Sequence, residues 1–167
     1  ESKGKRVSII PLDYYIPRSS DPEEIRSRLR SVVQSAVKEF DPALIGIGVP
    51  YTMLYPTALR VASFCKEVSE AVVCVGGPHV SYMDRQTLMD SKDVDVVVRG
   101  EGEWTLLELL EKIENGEDFR DISGTTIKDE EGIKVNPPRP LGDMKELPIL
   151  NYGLLPESFV RNMAVSI

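Results

Sequence analysis

Short apolar runs alternate with longer amphipathic segments along most of the chain. The apolar runs are rich in valine and isoleucine, and none of them alternates strictly between apolar and polar residues. This pattern is typical of strands that are covered on both faces of a parallel sheet. It predicts four strands, at Arg6–Ile10, Leu44–Val49, Ala71–Val75 and Val94–Val98.

The segments between the runs carry apolar residues at the period of amphipathic helices. The first begins at Asp21-Pro22-Glu23-Glu24, which combines a capping aspartate with a proline and glutamates in the first turn. Strand and helix alternate, so the sequence predicts an α/β protein with a Rossmann-like (flavodoxin-like), doubly wound parallel sheet and right-handed connections. Three further helices are expected, near Pro56–Ser69, near Asp84–Asp90 and from Glu103 to just before Gly116.

The two ends of the sequence depart from this alternation. Glu1–Lys5 is typical of the last turn of a helix with a glycine cap, so we expect the sheet to lack its first strand and helix. Ile122–Lys128 and Ile133–Val135 flank an acidic turn and predict a β-hairpin, and Asn136–Pro148 is a proline-rich linker. We therefore divide the chain into an α/β domain over residues 1–117, a hairpin extension of the same domain over 118–136 and a linker over 137–167.

The charge balance narrows the choice of partners. The 167 residues carry a formal net charge of -7 and a pI of about 4.9, which argues against a nucleic-acid or anionic-membrane surface. No apolar run approaches the roughly 18 residues of a membrane span, and no signal peptide opens the sequence. Cys65 and Cys74 lie in apolar segments without metal-ligand spacing, which is typical of buried thiols in a reducing cytoplasm.

The residues that follow the predicted strands indicate the kind of ligand. Ligands of open parallel sheets bind beyond the carboxyl ends of the strands. These ends are rich in glycine, proline and tyrosine, and Arg99 is the single cation beside them. Glycine lets a flat ligand touch the main chain, and tyrosine offers a ring face and a hydroxyl. The pattern favours a bulky, weakly charged ligand at Pro11–Tyr15, Pro50–Met53, Gly76–His79 and Gly100–Trp104.

Three other classes of protein fit this pattern less well. A phospho-acceptor receiver domain needs an acidic cluster at its strand ends, whereas the second and third ends carry no aspartate. A flavodoxin needs a phosphate loop rich in serine and threonine, and the sequence has none. A dinucleotide site needs a glycine loop that opens a helix. The segment Gly100-Glu101-Gly102-Glu103 lacks the third glycine of that loop, and its glutamates would repel a pyrophosphate.

Three segments, in this order, resemble a known family. They are Ile45–Thr52 (IGIGVPYT), Val75–Ser81 (VGGPHVS) and Val94–Leu110 (VDVVVRGEGEWTLLELL). They are similar to the cobalamin-binding domain of radical S-adenosylmethionine (SAM) enzymes of the anaerobic magnesium-protoporphyrin IX monomethyl ester cyclase type. The tail Ile122–Tyr152 resembles the link that joins this domain to the radical barrel. The resemblance therefore covers nearly the whole chain.

This resemblance implies a site for cobalamin (vitamin B12) at the carboxyl ends of the strands, with no catalytic and no metal-ligating residue. Cobalamin domains in general carry a serine where Gly48 stands, so its hydroxyl contact is missing. Their Asp-x-His-x-x-Gly motif, which supplies an axial histidine, is also absent, and the radical family usually does without it. The expected cofactor-binding residues are Asp13, Gly48, Pro50, Tyr51, Thr52, Met53, Gly76, Gly77, Pro78, His79, Gly100, Glu101, Gly102 and Glu103.

Several of these residues also have a purely structural explanation. His79 either approaches the cofactor or braces the turn after Gly77. Gly76 and Gly77 either admit the nucleotide tail of cobalamin or form a tight turn. Glu101 and Glu103 either accept hydrogen bonds from corrin amides or place negative charge at a helix N-terminus. The sequence leaves both explanations open at each position.

The resemblance further implies a division of roles within a larger enzyme. The sequence contains no CxxxCxxC cluster, so S-adenosylmethionine and a [4Fe-4S] cluster are expected only in a radical barrel of the same parent chain. That barrel would be the partner of this domain. The domain is expected to position the corrin for methyl transfer or redox chemistry, as part of a methyltransferase or oxidoreductase, without turnover of its own. The alternative is a ligand-free Rossmann-like scaffold or interaction domain of the same parent.

Overall fold

A computed structural model describes residues 4–15, 21–130, 132–147 and 152–155 of the chain. The chain forms two compact units, one comprising Glu1–Ala36 with Gly142–Ile167 and the other Val37–Leu141. The described elements of the first unit are helix α1 (Leu12–Tyr15), most of helix α2 (Pro22–Phe40), and 3-10 turns at Met144–Glu146 and Tyr152–Leu154.

Helix α2 begins where the sequence predicts it. The backbone N–H of Glu23 donates a hydrogen bond to Oδ1 of Asp21 at 2.9 Å, so Asp21 caps the helix. Leu29 and Val33 are buried, as expected for the apolar face of an amphipathic helix. The predicted start and face of this helix are both confirmed.

Residues 5–11 form no strand, so the prediction of a strand at Arg6–Ile10 is wrong. The side chains of Val7 and Ile9 are 41% and 44% exposed. A strand of a parallel sheet is stable when its backbone is paired and both of its faces are covered. Alternate side chains of this segment lack that cover, so its apolar composition alone does not make it a strand.

The second unit is built on a five-stranded sheet, in which the order of the strands is their order in the chain. The first three strands are parallel, the fourth pairs antiparallel with the third, and the fifth pairs antiparallel with the fourth. The last two form the predicted hairpin. The α/β, Rossmann-like class is therefore confirmed, with an antiparallel edge. The strands are β1 (Leu44–Gly48), β2 (Val72–Gly76), β3 (Val96–Val98), β4 (Thr125–Asp129) and β5 (Gly132–Val135).

Four helices accompany this sheet: α3 (Tyr55–Lys66), α4 (Pro78–Tyr82), α5 (Asp84–Asp90) and α6 (Glu103–Glu114). Helices α3, α5 and α6 match the predicted ones in place and approximate length. Helix α4 is not predicted, because the sequence Gly76-Gly77-Pro78 is typical of a loop. Pro78 is the first residue of α4, a position where the missing N–H of proline removes no helical hydrogen bond.

Both faces of the central strands are buried, as the valine-rich pattern predicts. Helices α3, α4 and α5 contact the strands, and Val73, Val75 and Val97 are fully buried. Burying a valine side chain stabilises a fold by about 1.5–3 kcal/mol, so this packing holds the central strands in place. Helix α6 contributes Leu109 to a core cluster. The cluster consists of Cys74, Val96, Val98, Leu109, Ile122 and Ile127.

The two thiols belong to this buried layer. Cys65 and Cys74 are both free and 1% exposed. Burial raises the pKa of the Cys74 thiol from its ordinary value of 9.0 to about 12, and that of Cys65 to about 11. The neutral thiol is the form that burial favours. Both cysteines are therefore structural at neutral pH, as the sequence predicts.

The free energy of unfolding is expected to fall as the pH rises from about 9 towards 12. Thiols of the unfolded chain ionise from about pH 8.5, whereas Cys74 keeps its proton to about 12 in the fold. Each such thiol contributes a slope of about -1.4 kcal/mol per pH unit in this window. The variant Cys74→Ala removes the contribution of one thiol to this slope. Urea unfolding between pH 8 and 11 measures the difference, and an unchanged slope in the variant would contradict the assignment.

Candidate functional site

The three parallel strands end side by side. Gly48 at the end of β1 pairs with Gly76 at the end of β2, and Gly76 pairs with Val98 at the end of β3. Beyond the ladder, the N–H of Val49 donates to the carbonyl oxygen of Gly76 at 2.8 Å. The strand ends therefore form one level edge, where ligands of parallel sheets bind.

Main chain is left bare along this edge. A Cβ built on Gly48 or on Gly100 would meet no atom within 4 Å. At Gly76 it would meet only the carbonyl oxygen and Cβ of Val98, at 3.6 and 3.8 Å, which is ordinary contact. We call Gly48, Gly76 and Gly100 the glycine edge. It offers a ligand direct access to the backbone at the ends of neighbouring strands.

Gly77 has a different role from the other glycines. Its φ of 122° lies in the region that glycine alone adopts without strain. A Cβ at this position would lie 2.5 Å from the carbonyl oxygen of Val49, a backbone atom. Gly77 therefore allows the turn after β2 to pack directly against the chain that leaves β1.

A hydroxyl that the sequence analysis missed joins two of the strand ends. Oγ of Ser81, in α4, donates to the carbonyl oxygen of Gly77 at 2.9 Å and accepts the N–H of Gly100 at 3.1 Å. We call this pair of contacts the serine bridge. The bond to Gly77 spans four residues, as in a helix, but the bond to Gly100 depends on tertiary packing and has no local sequence signal.

The residues after β1 place exposed side chains next to the glycine edge. Thr52–Leu54 forms a 3-10 turn that leads into α3. Pro50 and Thr52 are exposed, and the side chains of Tyr51 and Met53 are 67% and 81% exposed. Exposed aromatic and thioether groups of this kind suit contact with an apolar ligand or partner.

His79 has a neighbour within the fold. Its ring meets that of Tyr55 edge-on, with 4.7 Å between the ring centroids. The hydroxyl of Tyr55 donates to Oδ2 of Asp90 at 2.8 Å, and burial followed by the contacts with Asp90 raises the tyrosine's pKa. The His79 ring therefore braces the start of α4 against the start of α3. Pro78, just before it, is exposed.

The loop after β3 combines glycine with acidic groups. Glu101 and Glu103 are exposed, and Glu103 is the first residue of α6. The carbonyl oxygen of Gly102 accepts the N–H of Leu106 at 2.7 Å. A Cβ on Gly102 would lie 3.5 Å from Cγ1 of Val98. Both glutamates lie where negative charge stabilises a helix N-terminus, and both remain accessible to a ligand.

Arg99, next to Gly100, uses its charge inside the fold. Its Nη2 donates to the carbonyl oxygen of Thr125 at 3.1 Å and to that of Asn136. Its Nε lies 3.6 Å from Oδ2 of Asp84. The guanidinium thus holds the hairpin and the residues after it. These contacts hold the arginine side chain within the fold, which agrees with a ligand that does not depend on a cation.

One predicted site residue, Asp13, lies in α1, in the other compact unit. Its role in cofactor binding stays a prediction. Among the described residues, no group of three or more histidine, cysteine, aspartate or glutamate side chains could hold a metal ion. None of the helices in the described part of the chain is long and apolar enough to cross a bilayer.

An open sheet whose parallel strands end in exposed main chain is typical of a Rossmann-like domain that binds a broad cofactor. The chain belongs to the B12 binding domain family, whose profile matches residues 5–110. Cobalamin is the cofactor of this family, as expected. The resemblance read from the three segments is therefore confirmed.

Several curated relatives are methyltransferases or cyclases. An uncharacterized methyltransferase of Pyrococcus horikoshii is 38% identical over 128 residues, which is 75% of this chain and 28% of the relative. Cytidylyl-2-hydroxyethylphosphonate methyltransferase of Streptomyces wedmorensis is 28% identical over 149 residues, covering 84% of this chain and 28% of the relative. The anaerobic magnesium-protoporphyrin IX monomethyl ester cyclase of Synechocystis sp. is 27% identical over 103 residues, 61% of this chain and 20% of the relative. The chain thus spans less than a third of each.

Solved structures show the same fold. The radical SAM methyltransferase TsrM from Kitasatospora setae, with cobalamin and a [4Fe-4S] cluster bound, matches with a TM-score of 0.59 and 24% identity, over 68% of this chain and 21% of that one. The cobalamin-dependent radical enzyme OxsB, with aqua-cobalamin and S-adenosylmethionine bound, matches with a TM-score of 0.56 and 19% identity, over 67% and 16%. At these identities the structural similarity supports a shared fold.

Proposed function

We propose that this chain is the cobalamin-binding module of a radical SAM enzyme and that it holds the corrin against the glycine edge. The observation that carries the proposal is the space at this edge. Gly48 and Gly76 are paired in register, and a side chain at Gly48 or Gly100 would meet nothing within 4 Å. A broad, flat macrocycle is a ligand whose shape requires bare backbone over several adjacent strand ends.

The residues around the edge fit the chemistry of this cofactor. Corrin carries amide side chains, and the exposed carboxylates of Glu101 and Glu103 would accept hydrogen bonds from them. Tyr51 and Met53 would cover part of its apolar rim. Arg99 is bound to main-chain carbonyls, so the site does not depend on a cation.

The proposed role of the module is to bind and orient. Bound cobalamin supplies a cobalt centre that carries a methyl group or exchanges an electron. S-adenosylmethionine and a [4Fe-4S] cluster would belong to a radical barrel of the same parent chain. In this proposal, residues 1–117 with the hairpin 118–136 form the cofactor domain, and residues 137–167 lead towards the barrel in a cytoplasmic enzyme. The length of the relatives supports a larger parent.

We expect the purified chain to retain hydroxocobalamin. The protein is mixed with an excess of the cofactor and desalted, and its visible spectrum is recorded. Corrin absorbance should elute with the protein at close to one cofactor per chain. A parallel sample unfolded in urea before mixing controls for nonspecific adsorption. A colourless folded protein at high excess would contradict the proposal and favour a ligand-free scaffold.

A further inference from the structure

The three strand ends are joined by one continuous series of contacts. The N–H of Val49, after β1, bonds to Gly76 at the end of β2. Gly77 then packs against the main chain of Val49. The serine bridge continues the series, because Oγ of Ser81 bonds both to the carbonyl oxygen of Gly77 and to the N–H of Gly100. Without Ser81, the turn after β3 would lose this hydrogen-bonded connection to the turn after β2.

We propose that Ser81 is a positioning residue for cobalamin: its hydroxyl holds the turn after β2 and the turn after β3 at the separation that the cofactor requires. This inference rests on the proposed function of the glycine edge. Ser81 acts through Gly77 and Gly100, so the effect does not require the hydroxyl to touch the cofactor.

The bridge matters more for binding than for folding. Gly100 is exposed, with a φ of 67° and no neighbour that a Cβ would touch. Water can therefore replace the hydroxyl as the acceptor for its N–H at little cost to the fold. Cobalamin, however, would then have to order the turn as it binds, and ordering a loop on binding reduces affinity. The loss should appear in the dissociation constant rather than in the melting temperature.

A matched pair of variants isolates the hydroxyl. Thr and Val have nearly the same shape, so Ser81→Thr and Ser81→Val place the same bulk in α4 and differ in one O–H group. A threonine in a helix can bond the carbonyl oxygen four residues back, which is Gly77 at this position. We expect Ser81→Thr to bind hydroxocobalamin like the wild type. We expect Ser81→Val to bind it about three- to tenfold more weakly, the effect of one neutral hydrogen bond.

The melting temperatures of the cofactor-free proteins separate positioning from stability. The two variants should melt within about 2 °C of each other, while their dissociation constants differ. Ser69→Ala is the control, because Oγ of Ser69 also accepts a backbone N–H, that of Ala71 at 3.1 Å, before β2. It should leave binding unchanged.

Each outcome has a distinct meaning. Equal dissociation constants for the Thr and Val variants, with a wild type that binds, would overturn the role of Ser81 and leave the proposed function intact. The same follows if Ser69→Ala weakens binding as much as Ser81→Val does. A wild type that retains no hydroxocobalamin would overturn both.

Discussion

Replacing Gly77 with alanine is expected to lower the free energy of unfolding by about 3 kcal/mol or more, through strain and overpacking together. The new Cβ would stand 2.5 Å from the carbonyl oxygen and 2.9 Å from the carbonyl carbon of Val49. These are backbone atoms at the exit of β1, so no side chain can rotate away to relieve the contact. The φ of 122° adds strain for any residue with a Cβ.

A second glycine separates the two effects. Gly132 has a φ of 129°, but a Cβ there would meet nothing within 4 Å. Gly132→Ala therefore carries the conformational strain without the clash and should cost about 1–2 kcal/mol. Urea unfolding of both variants gives the difference. Equal losses would mean that the turn after β2 can shift away from Val49, and the tight packing inferred for Gly77 would be wrong.

Replacing Gly48 with valine is expected to have the opposite profile: a stable protein that no longer holds the cofactor. Gly48 has no positive φ and no neighbour that a Cβ would touch, and valine is favoured in strands. The free energy of unfolding should stay constant or rise slightly. The added side chain would stand where the corrin lies in our proposal, so the dissociation constant for hydroxocobalamin should rise about 10- to 100-fold, as for other overpacked contacts.

The series Gly48→Ala and Gly48→Val should weaken binding in steps as the side chain grows. Ala43→Val is the control, because Ala43 is exposed and lies just before β1, at the other end of the same strand. It adds similar bulk and should leave binding unchanged. Two quantities are measured for each variant: the retention of hydroxocobalamin after desalting, and the free energy of unfolding in urea. Full retention by Gly48→Val would show that the cofactor lies elsewhere.

Local sequence patterns account for most of the fold. The valine runs of β2 and β3, the capped start of α2 and the turn between β4 and β5 each carry their own signal within a few residues. The segment Arg6–Ile10 is also rich in valine and isoleucine and yet forms no strand. Pairing and burial depend on what the rest of the chain places beside a segment, and composition does not contain that information.

The candidate site likewise has one part that the sequence predicts and one part that it does not. Its glycines were predictable, because missing side chains at strand ends are visible in the sequence and the parallel arrangement brings the ends together. The serine bridge and the bonds of Arg99 were not, because they join residues 19 to 37 positions apart. Such contacts follow from the register of the strands and from helix α4, which the sequence did not predict. The sequence thus indicated the bare surface but not the bonds that hold it in shape.

The burial of the two thiols has a consequence for reading any optical titration with a cobalt-containing cofactor. Thiolate, rather than thiol, is the form of cysteine that binds metal ions. Cys65 and Cys74 are kept protonated and shielded by the core at neutral pH. The cysteine sulfurs of Cys65 and Cys74 are thus withheld from the cobalt for as long as the core remains intact. A band typical of cobalt–thiolate coordination by Cys65 or Cys74 would accordingly report protein whose core has opened.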